Sequence, residues 1–131
     1  MTRNLSRLCY IQRELTVRVR NDTRNTVLGE RIGVASDSAA RRTGLLKRRR
    51  LEQGEGLWIV PCQSVHTFFM KFAIDLVYLD RRKRVRKVRH AVPAWRISGC
   101  LMAHSVLELP AGAVMATRTE AGDQLAVERL S

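Results

Sequence analysis

The residue types best able to do chemistry are gathered in residues 57–80, with one more candidate further along the chain. His66 can serve as an acid–base group, a metal ligand or a hydrogen-bonding group near neutral pH. Asp75 and Glu108 each lie between apolar neighbours. A buried carboxylate is either neutralised or held ionised by hydrogen-bond donors. The candidate catalytic residues are therefore His66, Asp75 and Glu108, with Asp75 either a general base or the group that orients His66.

Each acid also has a structural interpretation. Asp75 is expected to accept hydrogen bonds from the backbone amides of residues 62–67, a loop without ladder partners of its own. Glu108 is expected to pair with an arginine on a neighbouring strand. If both acids line one cleft, they would instead form an acid pair with different proton affinities. The sequence leaves these alternatives open.

Two cysteine–histidine pairs raise the question of a metal site. Cys62-x-x-x-His66 and Cys100-x-x-x-His104 have ligand types suited to zinc. Residues four apart in an extended strand are separated by roughly 13 Å, so each pair could chelate a metal only from a turn or helix. Cys62 or Ser64 could also pair with His66 as a nucleophile, but no G-x-S-x-G turn surrounds the serine. We expect no metal and no cofactor.

Most of the elements that would position these side chains are short strands. In residues 15–20, apolar residues alternate with Arg18 and Arg20, which is typical of a half-exposed strand. Further strands are predicted over residues 26–35, 57–60, 65–72, 74–79, 85–92, 105–109 and 124–128, and helices over 36–49 and 111–119. This order predicts a mainly β (α+β) fold, a compact β-sandwich or small barrel with one or two short helices.

The length of 131 residues is that of one domain with a single core. We expect an N-terminal extension with a possible strand over residues 1–25 and a single β-rich domain over residues 26–131. No apolar run approaches the roughly 20 residues of a membrane span. The sequence shows no apolar signal segment, and its odd count of three cysteines suits reduced thiols. The expected location is therefore cytoplasmic.

Positive charge is the main compositional feature. The chain has 24 lysines and arginines against 12 acids, a formal net charge of +12. Seven of the nine residues in 81–89 are cationic, without an interleaved aromatic residue. This pattern favours contact with phosphate over recognition of bases, and a solvated hairpin is the structural alternative. The candidate contacts to an anionic partner are Arg81, Arg82, Lys83, Arg84 and Arg86.

Several short motifs occur in the order found in one known family. They are Arg41-x-x-Gly44-Leu45-x-x-Arg48-x-x-Leu51, Gly56-Leu57, Ser64-x-His66-Thr67-Phe68-Phe69-Met70, Ile74-Asp75-x-Val77-x-Leu79-Asp80, Val106-Leu107-Glu108-Leu109-Pro110-Ala111-Gly112 and Gly122-Asp123. From residue 26 to 125 the chain resembles the bacterial and archaeal family of domain of unknown function 192. The resemblance implies a compact β-sandwich or barrel with short helices, and it implies no reaction. Relatives usually have a glycine turn after the position of Asp80, and many are exported.

The first functional hypothesis is a small module that binds a small ligand or protein partner in a polar cleft beside the core. The expected cleft residues are Ser64, His66, Thr67, Lys71, Asp75, Trp95 and Glu108, with Trp58, Phe68 and Phe69 as further apolar walls. One alternative is a hydrolase-like enzyme using His66 with Asp75 or Glu108. A further alternative is a basic protein associated with nucleic acid. Whether the protein is an enzyme is left open.

Overall fold

The structure of the protein, a computed structural model, describes residues 15–37 and 50–130. In this part of the chain there are nine strands and one short helix. They are β1 (Thr16–Asn21), β2 (Thr26–Ala35), β3 (Glu55–Ile59), β4 (Ser64–His66), β5 (Ile74–Leu79), β6 (Val85–Val92), β7 (Ile97–Gly99), β8 (Ser105–Pro110), α1 (Ala113–Ala116) and β9 (Leu125–Arg129). The helix predicted over residues 36–49 lies almost wholly outside the described residues. No described helix has the length and apolar character needed to span a membrane.

Seven strands form one curled sheet in the order β6-β5-β8-β3-β2-β1-β9. All neighbouring strands are antiparallel except β2 and β3, which are parallel. The two edge strands meet at one end through a bridge between Arg84 and Gln124. There the amide of Val85 donates to the carbonyl of Asp123 at 2.8 Å. The sheet is therefore a half-barrel, and the predicted mainly β fold with a short helix is confirmed.

The two faces of the sheet have separate apolar cores. The inner face gathers side chains from both edge strands, including Val85 of β6 and Leu125 of β9, around Val77 and Leu107. The outer face packs Leu76, Tyr78 and Val106 under other parts of the chain. Strands β5 and β8 contribute side chains to both cores, because successive side chains of a strand point to opposite faces. Every residue of β5 is consequently buried.

Strands β4 and β7 pair with each other in a separate antiparallel unit, which we call the ribbon (Ser64–His66 and Ile97–Gly99). Val65 of the ribbon packs against the outer core. The buried Tyr78 hydroxyl donates to Ser98 Oγ at 2.8 Å and so ties the sheet to the ribbon. Burial raises the pKa of Tyr78 above its ordinary value, which keeps that donor protonated.

Two local sequence predictions were wrong in extent, and one strand was missed. The strand predicted over residues 65–72 ends at His66, because Phe69 has a φ of 67° and the chain turns there. The helix predicted over 111–119 has only the four residues of α1, preceded by Gly112 with a φ of 99°. Strand β7 was not predicted at all. The possible strand of the N-terminal extension does form, as β1 between β2 and β9.

Candidate functional site

A single buried threonine holds together the two loops that follow the ribbon. The Thr67 amide donates to the carbonyl of Arg96 at 2.9 Å, and the Thr67 hydroxyl donates to the carbonyl of Pro93 at 2.7 Å. The same hydroxyl oxygen accepts from the Arg96 amide at 2.9 Å. The Thr67 carbonyl accepts from the amides of Met70 and Trp95, each at 3.1 Å. Thr67 is only 1% exposed, so it acts as an internal clamp and not as a contact for ligand.

The loops held by Thr67 present a group of rings, which we call the aromatic ledge (His66, Phe68, Phe69 and Trp95). Phe69 and Trp95 are 68% and 57% exposed. Their ring centroids are 4.8 Å apart in an edge-on arrangement, and Phe68 stacks on Trp95 at 5.4 Å. The His66 ring lies 4.9 Å from Phe68, and its Nδ1 accepts the Phe68 amide at 3.3 Å. The ledge is therefore an exposed surface of rings in mutual contact.

The backbone under the ledge is strained at two of its four positions. Phe69 and Trp95 have φ values of 67° and 66°, in the left-handed region. That region costs an L-residue other than glycine roughly 1–2 kcal/mol. Strained residues persist only where the surrounding structure holds them, and they are concentrated at functional sites. Here the hydrogen bonds of Thr67 keep the two loops in place, so that the rings of Phe69 and Trp95 are exposed to solvent.

An exposed surface runs from the ledge along the outer face of the ribbon. His66 pairs with Ile97 and Ser64 pairs with Gly99, and all four residues are exposed. Ile97 is 72% exposed. The chain then continues past Gly99 to the exposed Leu101 and Met102. Apolar side chains thus extend from the ledge towards the opposite end of the ribbon.

At that opposite end lies a cationic depression of about 950 Å³, which we call the arginine groove. It is lined by Pro61, Cys62, Gln63, Asp80, Arg81, Arg82, Arg84, Arg86, Met102, Ala103 and His104. The lining therefore includes four arginines and one aspartate. Four of the five arginine and lysine residues predicted to contact an anion line this groove. The fifth, Lys83, lies with its ammonium group 5.8 Å from the Trp58 ring centroid.

Asp80 organises the hairpin that carries these arginines. Its Oδ1 accepts the amides of Arg82 and Arg84 at 2.9 and 3.0 Å, and its Oδ2 accepts Arg86 Nε at 3.0 Å. Burial acts to raise the pKa of Asp80, but these donors outweigh it and hold the pKa below its ordinary value. In the part of the chain that the structure describes, the guanidinium groups of Arg81 and Arg82 have no ion pair or hydrogen bond. The groove therefore carries unneutralised positive charge.

Asp75 is a structural residue of the inner face, and its donors differ from the predicted ones. Its Oδ1 accepts the amide of Ala91 at 2.7 Å, and its Oδ2 accepts the amides of Gly112 and Val114 at 3.1 and 2.8 Å. Ala91 lies in a bulge of β6 with a φ of 45°. The prediction that Asp75 binds amides of residues 62–67 was therefore wrong, because the donors come from β6 and the start of α1.

Glu108 is buried on the other face of the sheet. It pairs in register with Leu57 and Leu76, whereas Asp75 pairs with Leu109, so the two acids point to opposite faces. They do not form an acid pair. No described side chain donates a hydrogen bond to Glu108, so the predicted arginine partner was also wrong. Burial raises the pKa of Glu108 to about 7.

The polar cleft predicted from sequence is not assembled in one place. His66 lies on the outer face of the ribbon, while Asp75 is enclosed in the inner face and Glu108 in the outer core. Lys71 is exposed in the loop after Met70. Within the described residues, Cys62, His66, Cys100 and His104 do not form a group of three or more metal ligands. The ledge residues His66, Phe68, Phe69 and Trp95 are the part of the prediction that the structure brings together.

The comparisons with known proteins identify a family and a fold. The model of the family DUF192, described as Uncharacterized ACR, matches residues 17–127. The chain belongs to the DUF192 family. No curated protein matches it.

Two solved structures are similar. One is a protein of Sinorhizobium meliloti proposed to be a transcription regulator, with 19% identity, a TM-score of 0.76 and coverage of 87% of this chain and 93% of that one. The other is a protein of unknown function from Novosphingobium aromaticivorans, with 20% identity, a TM-score of 0.73 and coverage of 85% and 83%. At these identities the likeness shows the fold alone.

Sequence reasoning missed several residues of this surface. Ile97, Leu101 and Met102 are apolar and exposed, but their stretch has no strand-length alternation that would single them out. Thr67 was predicted as a ligand contact, whereas its hydroxyl is used within the protein. The positive φ values of Phe69 and Trp95 had no sequence signal, because neither residue type favours that conformation.

Proposed function

We propose that this protein is a binding module whose ligand packs a flat ring or apolar group against the aromatic ledge. The observation that carries the proposal is the left-handed backbone at both Phe69 and Trp95, two exposed apolar rings of the ledge. Folding alone gives no reason to strain two positions in order to expose apolar rings. A surface that must present rings to a partner gives such a reason.

The chemistry of the ledge suits a ligand with a π-face. Aromatic pairs contribute roughly 0.5–1.5 kcal/mol beyond the area that they bury, and an indole ring is a good partner for another ring or for a cation. The exposed Arg96 and His66 stand at the rim and offer polar contacts beside the rings. Nucleobases and aromatic side chains are the ligand groups that meet both requirements.

A hydrolytic role has less support. A histidine base needs an orienting acid within hydrogen-bond reach. Both acid candidates, Asp75 and Glu108, are buried in the sheet. The Nδ1 atom of His66 already accepts a hydrogen bond from the Phe68 amide. The ledge, by contrast, needs no further residue to act as a contact surface.

The test follows the two tryptophan indole signals by NMR while adenosine or N-acetyltryptophanamide is added. Trp95→Phe assigns the ledge signal, and Trp58 serves as the internal reference because its indole nitrogen donates to Ser105 Oγ at 2.8 Å. We expect a saturable shift of the Trp95 signal with at least one probe, and a small response of Trp58. No saturable Trp95 shift with either probe at millimolar concentration would overturn the proposal.

A matched pair of variants distinguishes the effect of losing a ledge ring on probe binding from the effect of losing any exposed side chain. Phe69→Ala removes an exposed ring of the ledge, and Met115→Ala removes an exposed side chain of similar accessibility on α1 (68% and 72% exposed). Phe69→Ala is expected to weaken probe binding severalfold, while Met115→Ala leaves it unchanged. Equal effects of the two substitutions would count against the ledge as the site.

A further inference from the structure

We infer that the ligand is single-stranded nucleic acid, with bases stacked on the aromatic ledge and the phosphates of the same strand in the arginine groove. This inference rests on the proposed function and adds a substrate class to it. Stacking rings and a cationic track are the two parts by which proteins hold single strands without reading sequence. Both parts are exposed in this molecule, one at each end of the ribbon.

Charge complementarity favours a polyanion. The arginine groove has four guanidinium groups and a single carboxylate, and that carboxylate is already engaged by Arg82, Arg84 and Arg86. The whole chain has a formal net charge of +12, which attracts a polyanion from a distance. Guanidinium groups such as those of Arg81 and Arg82 are suited to phosphate because their planar donors match its oxygens.

The ribbon joins the two parts. Its His66–Ile97 end borders the ledge, and the chain reaches the groove lining at Gln63 and Met102, beyond its Ser64–Gly99 end. The surface between them is exposed and includes Ile97, Leu101 and Met102. These apolar side chains can contact sugars and bases without a cost in desolvated charge.

Ring stacking argues for a single strand over a duplex. The bases of a duplex are stacked on one another, so their faces are closed to Phe69 and Trp95. Bases of a single strand can splay onto aromatic side chains. The described part of the chain also has no helix long enough to read a major groove, since α1 has four residues. Duplex DNA is therefore the discriminating competitor.

The experiment measures binding of a fluorescein-labelled oligothymidylate of about ten nucleotides to the full chain by anisotropy, over a range of salt. We expect log K to fall linearly with log salt. Arg81→Ser with Arg82→Ser should reduce the slope by about 1.4, since each lost phosphate contact removes about 0.7 for a single strand. Trp95→Ala should weaken binding by about tenfold and leave the slope unchanged.

The matched control is Arg31→Ser with Arg118→Ser. These exposed arginines lie away from the groove lining, and the pair lowers the net charge by the same amount. Equal loss of affinity in the two double variants would overturn the groove as the phosphate site. Equal binding of duplex, or of polyglutamate with no effect of Trp95→Ala, would overturn the single-strand assignment.

These outcomes separate the inference from the proposal on which it rests. If the Trp95 indole signal still responds to adenosine or N-acetyltryptophanamide while the oligonucleotide shows no groove-dependent binding, the ledge proposal stands and the nucleic-acid inference fails. If neither the probes nor the oligonucleotide perturb Trp95, both fail.

Discussion

Two buried acids, Asp75 and Glu108, have opposite physical roles. Asp75 accepts three backbone amides, from Ala91 in a bulge and from Gly112 and Val114 beside α1. Glu108 is enclosed between Leu57 and Leu76 without a described donor. The same residue class therefore stabilises the fold at one position and costs stability at the other. Sequence alone made both acids equally good site candidates.

Replacing Asp75 with Ala should lower the free energy of unfolding by at least about 3 kcal/mol, since hydrogen bonds to a charged group contribute roughly 1.5–3 kcal/mol each. The measurement is urea denaturation at neutral pH. Asp75→Asn preserves the shape but turns an amide NH₂ group towards donors, so it should also be clearly destabilised. Wild-type stability in both variants would contradict the structural role of this carboxylate.

Replacing Glu108 with Gln should stabilise the protein at alkaline pH. Burial raises the pKa of Glu108 from 4.5 to about 7 in the folded state, so folding takes up a proton between these values. Wild-type stability is then lost as pH rises from about 4.5 to 7, by about 3 kcal/mol at 1.36 kcal/mol per pH unit. Glu108→Gln abolishes this loss, and the two proteins should be equally stable at low pH.

The control for Glu108→Gln is Glu30→Gln, which removes one negative charge from an exposed position on β2. Unfolding free energies of the three proteins are compared at several pH values from 4 to 8. A higher free energy of unfolding at alkaline pH that is seen only in Glu108→Gln supports the burial of that carboxyl. A gain of equal size in Glu30→Gln would mean that net charge, and not burial, sets the pH dependence.

At the scale of elements, Thr67 decides the position of the ledge. Replacing it with Val keeps the shape but removes a hydroxyl that joins Pro93 and Arg96. The buried groups left unpaired should cost about 2 kcal/mol, and the loop that carries Trp95 should lose its fixed position. Thermal unfolding measures the first effect. The second is measured by the change in the near-ultraviolet circular dichroism, compared with the change that Trp95→Phe causes. Thr16→Val on β1 is the control.

An unchanged near-ultraviolet spectrum in Thr67→Val would contradict the clamp, even if stability fell. A fall in stability alone shows only that the hydroxyl is satisfied in the folded state. The spectrum reports whether the ring keeps its surroundings, which is the property that matters for binding. The two measurements together therefore distinguish a positioning residue from one that only stabilises the core.

Elements whose core residues alternate were predictable, and elements held by distant contacts were not. Val17 and Val19 in β1 and the apolar run of β5 carry their own pattern. Strand β7 has three residues and exists because it pairs with β4. The ledge was likewise only partly predictable. Its rings were evident in the sequence, but their exposure depends on contacts between Thr67 and residues nearly thirty positions away.

At the scale of the whole molecule, the half-barrel is closed at one end by a buried polar group around Asp123. Its Oδ2 accepts Asn21 Nδ2, Arg24 Nε and the amide of Glu120, each at 3.0 Å. The backbone carbonyl of the same residue accepts the amide of Val85 and so joins the two edges of the sheet. Loss of this carboxylate is therefore expected to weaken closure of the sheet.

Burial acts to raise the pKa of Asp123, but Arg24, Asn21 and the amide of Glu120 outweigh it and leave the pKa below its ordinary value of 3.8. An acid with a lowered folded-state pKa stabilises the protein above its unfolded pKa, and the stabilisation is lost as pH falls through the folded pKa. Asp123→Asn should therefore cost about 2 kcal/mol at neutral pH, and the difference from wild type should shrink below about pH 4. Urea denaturation of both proteins across that range measures the difference. If it stays constant down to about pH 3, the ionised carboxylate is not what holds the two edges together, and closure depends on the backbone bridge instead.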